Sequence, residues 1–187
     1  MANDCCGVMK VVAKNREAIK RLFEIMDYKD PEYFCYRVRG IGIPCNSDLE
    51  AAIKQDGDLF VCDFETDAAW SSERWFNGEE NPECLVCTGY DKQMKEIYGT
   101  AHIISIDRLC KKLGLAVELY ATEPGMCFCE HFLVNHDGDV ITNDSADYVL
   151  VYPEGADGEP DYDQEPEEQT DMDLWNYSSA KEIWDGE

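Results

Sequence analysis

Apolar positions along the first 150 residues change period several times, and each period predicts an element. Valines at 8, 11 and 12 mark residues 5–13 as a strand. Ile19, Leu22, Phe23 and Met26 recur at helical spacing, which predicts a helix over 16–26 with Asn15 as its N-cap. Residues 33–43 alternate aromatic and β-branched side chains with Arg37 and Arg39, a strand pattern. Asp56-Gly57 marks a turn, and residues 59–69 read as a further strand. Ile106, Leu109, Cys110 and Leu113 predict an amphipathic helix over 103–113, stopped by Gly114 as C-cap. Strands follow at 115–120, 127–134, 140–142 and 148–152, with Pro124-Gly125 and Asp137-Gly138 as turns.

The order is β-α-β-β, an irregular middle over 71–101, then α-β-β-β-β, with no repeat at solenoid period. Helices set ahead of short strand runs predict an α+β fold: an antiparallel sheet with two main helices packed on one face.

Charge changes this picture. Forty acids against sixteen bases leave a net charge of −24. Residues 1–153 carry 27 acids and 15 bases, and residues 154–187 carry 13 acids and one base. The expected organisation is therefore an α+β domain over 1–153 and an acidic, partly disordered C-terminal segment over 154–187. Trp175 and Trp184 in that segment imply that it either folds back on the domain or acts as a recognition element. Such a charge repels nucleic acid and anionic membranes and favours basic protein partners. No apolar run approaches the ~20 residues of a membrane span, and no basic leader opens the chain, so a cytoplasmic location is expected. There the ten cysteines read as thiols or metal ligands rather than disulfides.

The candidate chemistry is sparse. Cys84-x2-Cys87 with Cys127-x-Cys129-x-His131 could complete a zinc site, or could be buried thiols. Asp161-x-Asp163-x-Glu165 opens like a calcium loop, but Pro166 stands where glycine is required. A cysteine nucleophile needs a neighbouring base, and His102, His131 and His136 stand in no such motif. Phosphate-loop, dinucleotide and metalloprotease signatures are absent. No enzyme activity, cofactor or metal is expected.

Met1-Ala2-Asn3 with Cys5, the run Phe64-Glu65-Thr66-Asp67-Ala68-Ala69-Trp70, and residues 114–121 with Glu123-Pro124-Gly125, Phe128 and Asp137-Gly138 together resemble YubB-type ferredoxin-like proteins of phages and plasmids. The likeness spans residues 1–145. It implies a ferredoxin-like fold and a mobile-element origin, and supplies no catalytic residues. Joined to the charge, it implies a protein of the host bacterial cytoplasm that inhibits a nucleic-acid-binding defence complex. A CRISPR nuclease or a restriction complex would be bound on its basic surface in place of nucleic acid. The expected contacts are Asp161, Asp163, Glu165, Glu167, Glu168, Asp171, Asp173, Trp175 and Trp184, with no direct binding of nucleic acid. The alternatives are a non-inhibitory acidic interaction module or phage accessory protein and, third, a zinc-binding adaptor.

Overall fold

The computed structural model describes residues 4–35, 38–46, 48–69, 71–76, 81–90, 92–93, 95–147, 149–155, 158–165, 167–170, 172 and 175–187. The chain begins with β1 (Asp4–Ala13), α1 (Arg16–Met26), β2 (Tyr33–Phe34), β3 (Val38–Gly42), α2 (Leu49–Ala52), β4 (Lys54–Asp56) and β5 (Leu59–Ala69). The middle holds α3 (Glu73–Phe76), β6 (Asn81–Tyr90), β7 (Glu96–Ile103) and α4 (Ile106–Leu113). It ends with β8 (Leu115–Glu123), β9 (Phe128–Val134), β10 (Val140–Asp147), β11 (Val149–Val151), β12 (Glu167–Gln169) and α5 (Ala180–Asp185).

Seven strands form one antiparallel sheet in the order β10-β9-β8-β1-β5-β3, with β4 paired to the far end of β5. Strand alternation sorts its side chains into two groups. Cys5, Met9, Val11 and Ala13 of β1 join Ile19, Leu22, Ile25 and Met26 of α1 and Ile106, Leu109 and Cys110 of α4 in the larger core cluster. Val12 points the other way. It packs with Leu59, Ala116 and Leu133 against Ala180, Ile183 and Trp184 of α5.

The local signals behind the helices are explicit. The Asn15 side chain accepts from the Ala18 N–H and caps α1, and Gly114 ends α4 at φ +64°. Ser179 and Glu182 form a capping box at the start of α5. Gly186 then ends α5 at φ +74°, where a Cβ would lie 2.9 Å from the Ile141 side chain.

Several expectations need correction. A ferredoxin-like layer with two main helices on one face is not what forms. The chain is 44% strand and 22% helix, and α5 sits in a separate cluster from α1 and α4. Residues 33–43 are not one strand: β2 pairs in parallel with β7, whereas β3 pairs with β5 across a bulge. Alternation shows that a segment is extended but does not choose its neighbour. The middle is not irregular either. β6 and β7 form an antiparallel pair that joins β2 in a three-stranded sheet, and α3 brings Phe76 to stack on Phe132 at 4.7 Å. Bulges near Cys84 and Cys87 hide the period of β6. The start of the second predicted helix, at residue 103, belongs to β7 instead.

Gly7 marks the closest approach within the sheet. A Cβ there would lie 2.3 Å from the Tyr120 carbonyl oxygen and 2.7 Å from the Ala121 Cβ. Because backbone must move to make room, Gly7→Ala is expected to destabilise the chain by about 1–3 kcal/mol, the usual cost of overpacking. Urea unfolding measures this, and an unchanged midpoint would refute the close packing of β1 on β8.

Candidate partner-binding surface

The C-terminal residues fold back over the sheet, and a buried acid holds them there. Glu118 lies near the middle of β8, 1% exposed, on the side of the sheet that faces residues 175–187. A buried carboxylate is costly unless it is well supplied with donors. Here Oε1 accepts from His131 Nε2 at 3.0 Å and from the Ser178 hydroxyl at 3.1 Å, and Oε2 accepts from the Ser178 N–H at 2.8 Å.

Contacts around it extend the latch. Tyr177 donates to the Val8 carbonyl at 2.6 Å, Tyr120 to the Asn176 carbonyl at 3.2 Å, and Lys10 to the Ser178 carbonyl at 3.2 Å. The Tyr120 ring stacks on His131 at 4.1 Å and meets Tyr177 edge-on at 4.9 Å. Further along, His136 donates from Nδ1 to the Trp184 carbonyl at 2.7 Å and stacks on its ring at 4.4 Å. His136 thus fastens the C-terminal segment directly, while His131 holds the Glu118 carboxylate that Ser178 meets.

A second buried acid, Glu130 on β9, accepts from the Ser71 hydroxyl, the Ser72 N–H at 2.8 Å and the Cys5 thiol at 3.4 Å. Burial, followed by the Glu130 charge, pushes the Cys5 thiol up, so this Cys-Glu-Ser group keeps its proton and ties α3 to the sheet.

The cysteines expected to bind zinc are not assembled. Cys127 lies in the turn before β9, at φ +56°, so it does not share a strand face with Cys129 and His131. Cys129 is buried, its thiol 3.3 Å from the Ala146 carbonyl, and His131 is engaged by Glu118. Cys84 and Cys87 belong to β6 in the other sheet, and their side chains lie outside the described residues. Among the described residues no group of three ligating side chains could hold a metal ion.

Acidic positions take a different course. β11 and β12 pair as a two-stranded ribbon, and the acid-rich stretch between them closes as a loop through a Glu154–Pro160 bridge and a Tyr152–Tyr162 contact at 4.8 Å. In that loop Asp161 accepts from Gln164 Nε2 at 2.7 Å and from the Asp163 N–H at 3.1 Å. These bonds hold its carboxyl below the ordinary range. Asp163 and Glu165 are exposed on the loop, and Glu167 is exposed on β12. Glu168 is on β12 with its side chain outside the described residues, as are Asp171 and Asp173 altogether. Trp175 is 46% exposed, whereas Trp184 is 8% exposed and packs in the second core cluster.

Sequence reasoning passed over Asp144 and Asp147, both exposed on the edge strand β10. From residue 113 to the last residue the chain carries half of its acids and one base, Lys181. The bases of the first half pair close to home: Arg16 and Lys20 with Glu50, Arg21 with Asp30 and Glu32, Lys29 with Asp27, and Arg39 with Asp4. Among the described residues, Asp144, Asp147, Asp163, Glu165 and Glu167 have no basic side chain within ion-pair distance. No protein-family model, curated protein or solved structure matches the chain.

Two outcomes are expected from this geometry. Glu118→Gln places an amide N–H where the carboxylate accepts, leaving a buried donor unmatched at a cost of about 1–3 kcal/mol. Amide exchange across residues 175–187 should accelerate in that variant, and unchanged exchange would show that the carboxylate is not the latch.

Burial also pushes the Cys62 thiol up to about 11 and Cys35 to about 12, from an ordinary value of 9.0. Each therefore stabilises the fold below pH 9.0, and that contribution disappears as pH climbs through 11 and 12 while the unfolded chain ionises. Urea midpoints should fall over this alkaline range, and fall less in a Cys35→Ala/Cys62→Ala double variant. Equal losses in the two chains would contradict it.

Proposed function

We propose that this is a binding protein whose acidic surface occupies the basic groove of a nucleic-acid-binding protein. The observation that carries the reading is the set of exposed carboxylates without basic partners. Asp144 and Asp147 lie on β10, Glu167 on β12, and Asp163 and Glu165 on the loop between β11 and β12, in a part of the chain with almost no bases. Carboxylates on a strand or on a loop closed by its own contacts are presented without the full ordering cost of a flexible tail. Such a surface displaces the counterions of a lysine- and arginine-lined channel as nucleic acid does, and its field steers the encounter.

The likeness to mobile-element proteins supports a narrower target. A restriction or CRISPR complex in a bacterial cytoplasm has a channel of this kind, and a phage or plasmid gains from closing it. On this reading the protein performs no chemistry and needs no cofactor. The buried thiols, raised away from reactivity, and the engagement of His131 by Glu118 and of His136 by the Trp184 carbonyl support that view. Among the described residues no helix is long and apolar enough to cross a membrane.

The test is binding to purified restriction and CRISPR effector complexes, with and without their nucleic acid. Affinity for at least one should fall by about tenfold or more between about 50 and 200 mM salt, and nucleic acid should compete. Removing residues 154–187 would be a poor probe of charge, because it strips Ile183 and Trp184 from the core. The triple substitution Asp163→Asn/Glu165→Gln/Glu167→Gln leaves the core intact and should weaken binding by about tenfold, or about 1.4 kcal/mol. Salt-insensitive binding that coexists with nucleic acid would replace the mimic by a non-inhibitory interaction module.

A further inference from the structure

We infer that the β11–β12 ribbon is the centre of the docking surface. Its occupant is a basic protein surface that places aliphatic or aromatic side chains among its lysines and arginines. Three consecutive aliphatic residues stand open on this ribbon: Val149 is 65% exposed, Leu150 38% and Val151 40%. Tyr162, beside the ribbon's loop end, is 73% exposed. Isolated two-stranded ribbons are marginal in water, and contiguous exposed apolar side chains mark interaction sites.

The rim identifies the partner's chemistry. Val151 lies opposite Glu167 in the register, Asp147 sits two residues before Val149, and Asp163 and Glu165 are exposed on the loop that the ribbon closes. An apolar centre with a charged rim is the usual anatomy of a protein interface. A rim of one sign requires the opposite sign across it. A second copy, bearing the same −24 charge, meets repulsion at this surface. Lysine and arginine side chains would face the carboxylates, and the partner's apolar groups would cover Val149 and Val151. The inference rests on the acidic-docking reading and adds to it that charge alone is insufficient: affinity and specificity come from the aliphatic centre.

The experiment uses the full chain and two labelled synthetic peptides of equal charge, one alternating lysine with leucine and one alternating lysine with serine. Fluorescence anisotropy at about 50 mM salt should show the lysine–leucine peptide binding at least about tenfold more tightly. Val149→Ser/Val151→Ser should erase that advantage and leave the lysine–serine affinity unchanged. Because both positions are exposed, the thermal midpoint should hold. Should the ribbon itself unravel in that variant, amide protection of residues 149–151 on peptide binding to the unaltered chain gives the same answer. Equal affinities for the two peptides, or an advantage that survives with no protection at 149–151, would overturn the apolar centre while leaving the acidic surface standing. Binding of neither peptide would overturn the acidic-docking reading and this inference with it.

Discussion

Strand β8 runs through the middle of the sheet with almost every side chain buried, and burying both faces of one strand obliges the chain to supply two covers. One cluster gathers Val117, Leu119 and Ala121 with the apolar stripes of α1 and α4. The other side exposes Ala116, Glu118 and Tyr120 to whatever the remaining chain provides, and the last thirteen residues provide it. Glu118 makes this cover specific. An apolar residue there would accept any greasy segment, whereas a buried carboxylate demands donors in fixed places. Ser178 and His131 meet that demand, and the register of the C-terminal segment on the sheet follows.

This arrangement also decides what the acidic stretch can be. Between β11 and β12, the described acidic residues are drawn together by the Glu154–Pro160 bridge and the Tyr152–Tyr162 contact, and the latch holds the chain beyond them. Carboxylates that would cost ordering entropy in a free segment are fixed by the fold. The same principle explains Asp144 and Asp147 on the edge strand. Charge on an unpaired edge discourages another strand from adding to it, so β10 remains a boundary of the sheet. The ribbon differs, because its exposed positions are aliphatic and its acids lie around them.

Self-repulsion is the counterweight. A net charge of −24 opposes compaction, and local pairing of the first-half bases relieves only that half. Exposed pairs such as Arg21 with Glu32 contribute little individually. Stability therefore rests on the two apolar clusters and on the backbone ladder. Most of the net charge is carried from residue 113 onward, where the sequence has one base, Lys181.

Much of the frame is legible in the sequence because it depends on local rules. Asn15 as a cap, the stripe on α1, Gly114 as a helix stop, and the full extent of β5 follow from short-range stereochemistry and alternation. Composition likewise established the charge and its concentration at the C-terminal end. Pairing was not legible. Residues 33–43 are extended from their pattern, but only the sheet assigns one part to β7 and the other to β5, since an extended segment satisfies its hydrogen bonds with any neighbour of matching register. In the sequence, Trp184 and Trp175 leave open whether the segment folds back on the domain or acts as a recognition element. The place of Trp184 against Val12, Ala116 and Leu133, over a hundred and seventy positions from the first of them, is fixed by the tertiary structure alone. The sequence determined which residues needed partners. The folded chain decided which partners they received, because burial is a property of positions brought together in space and not of neighbours along the chain.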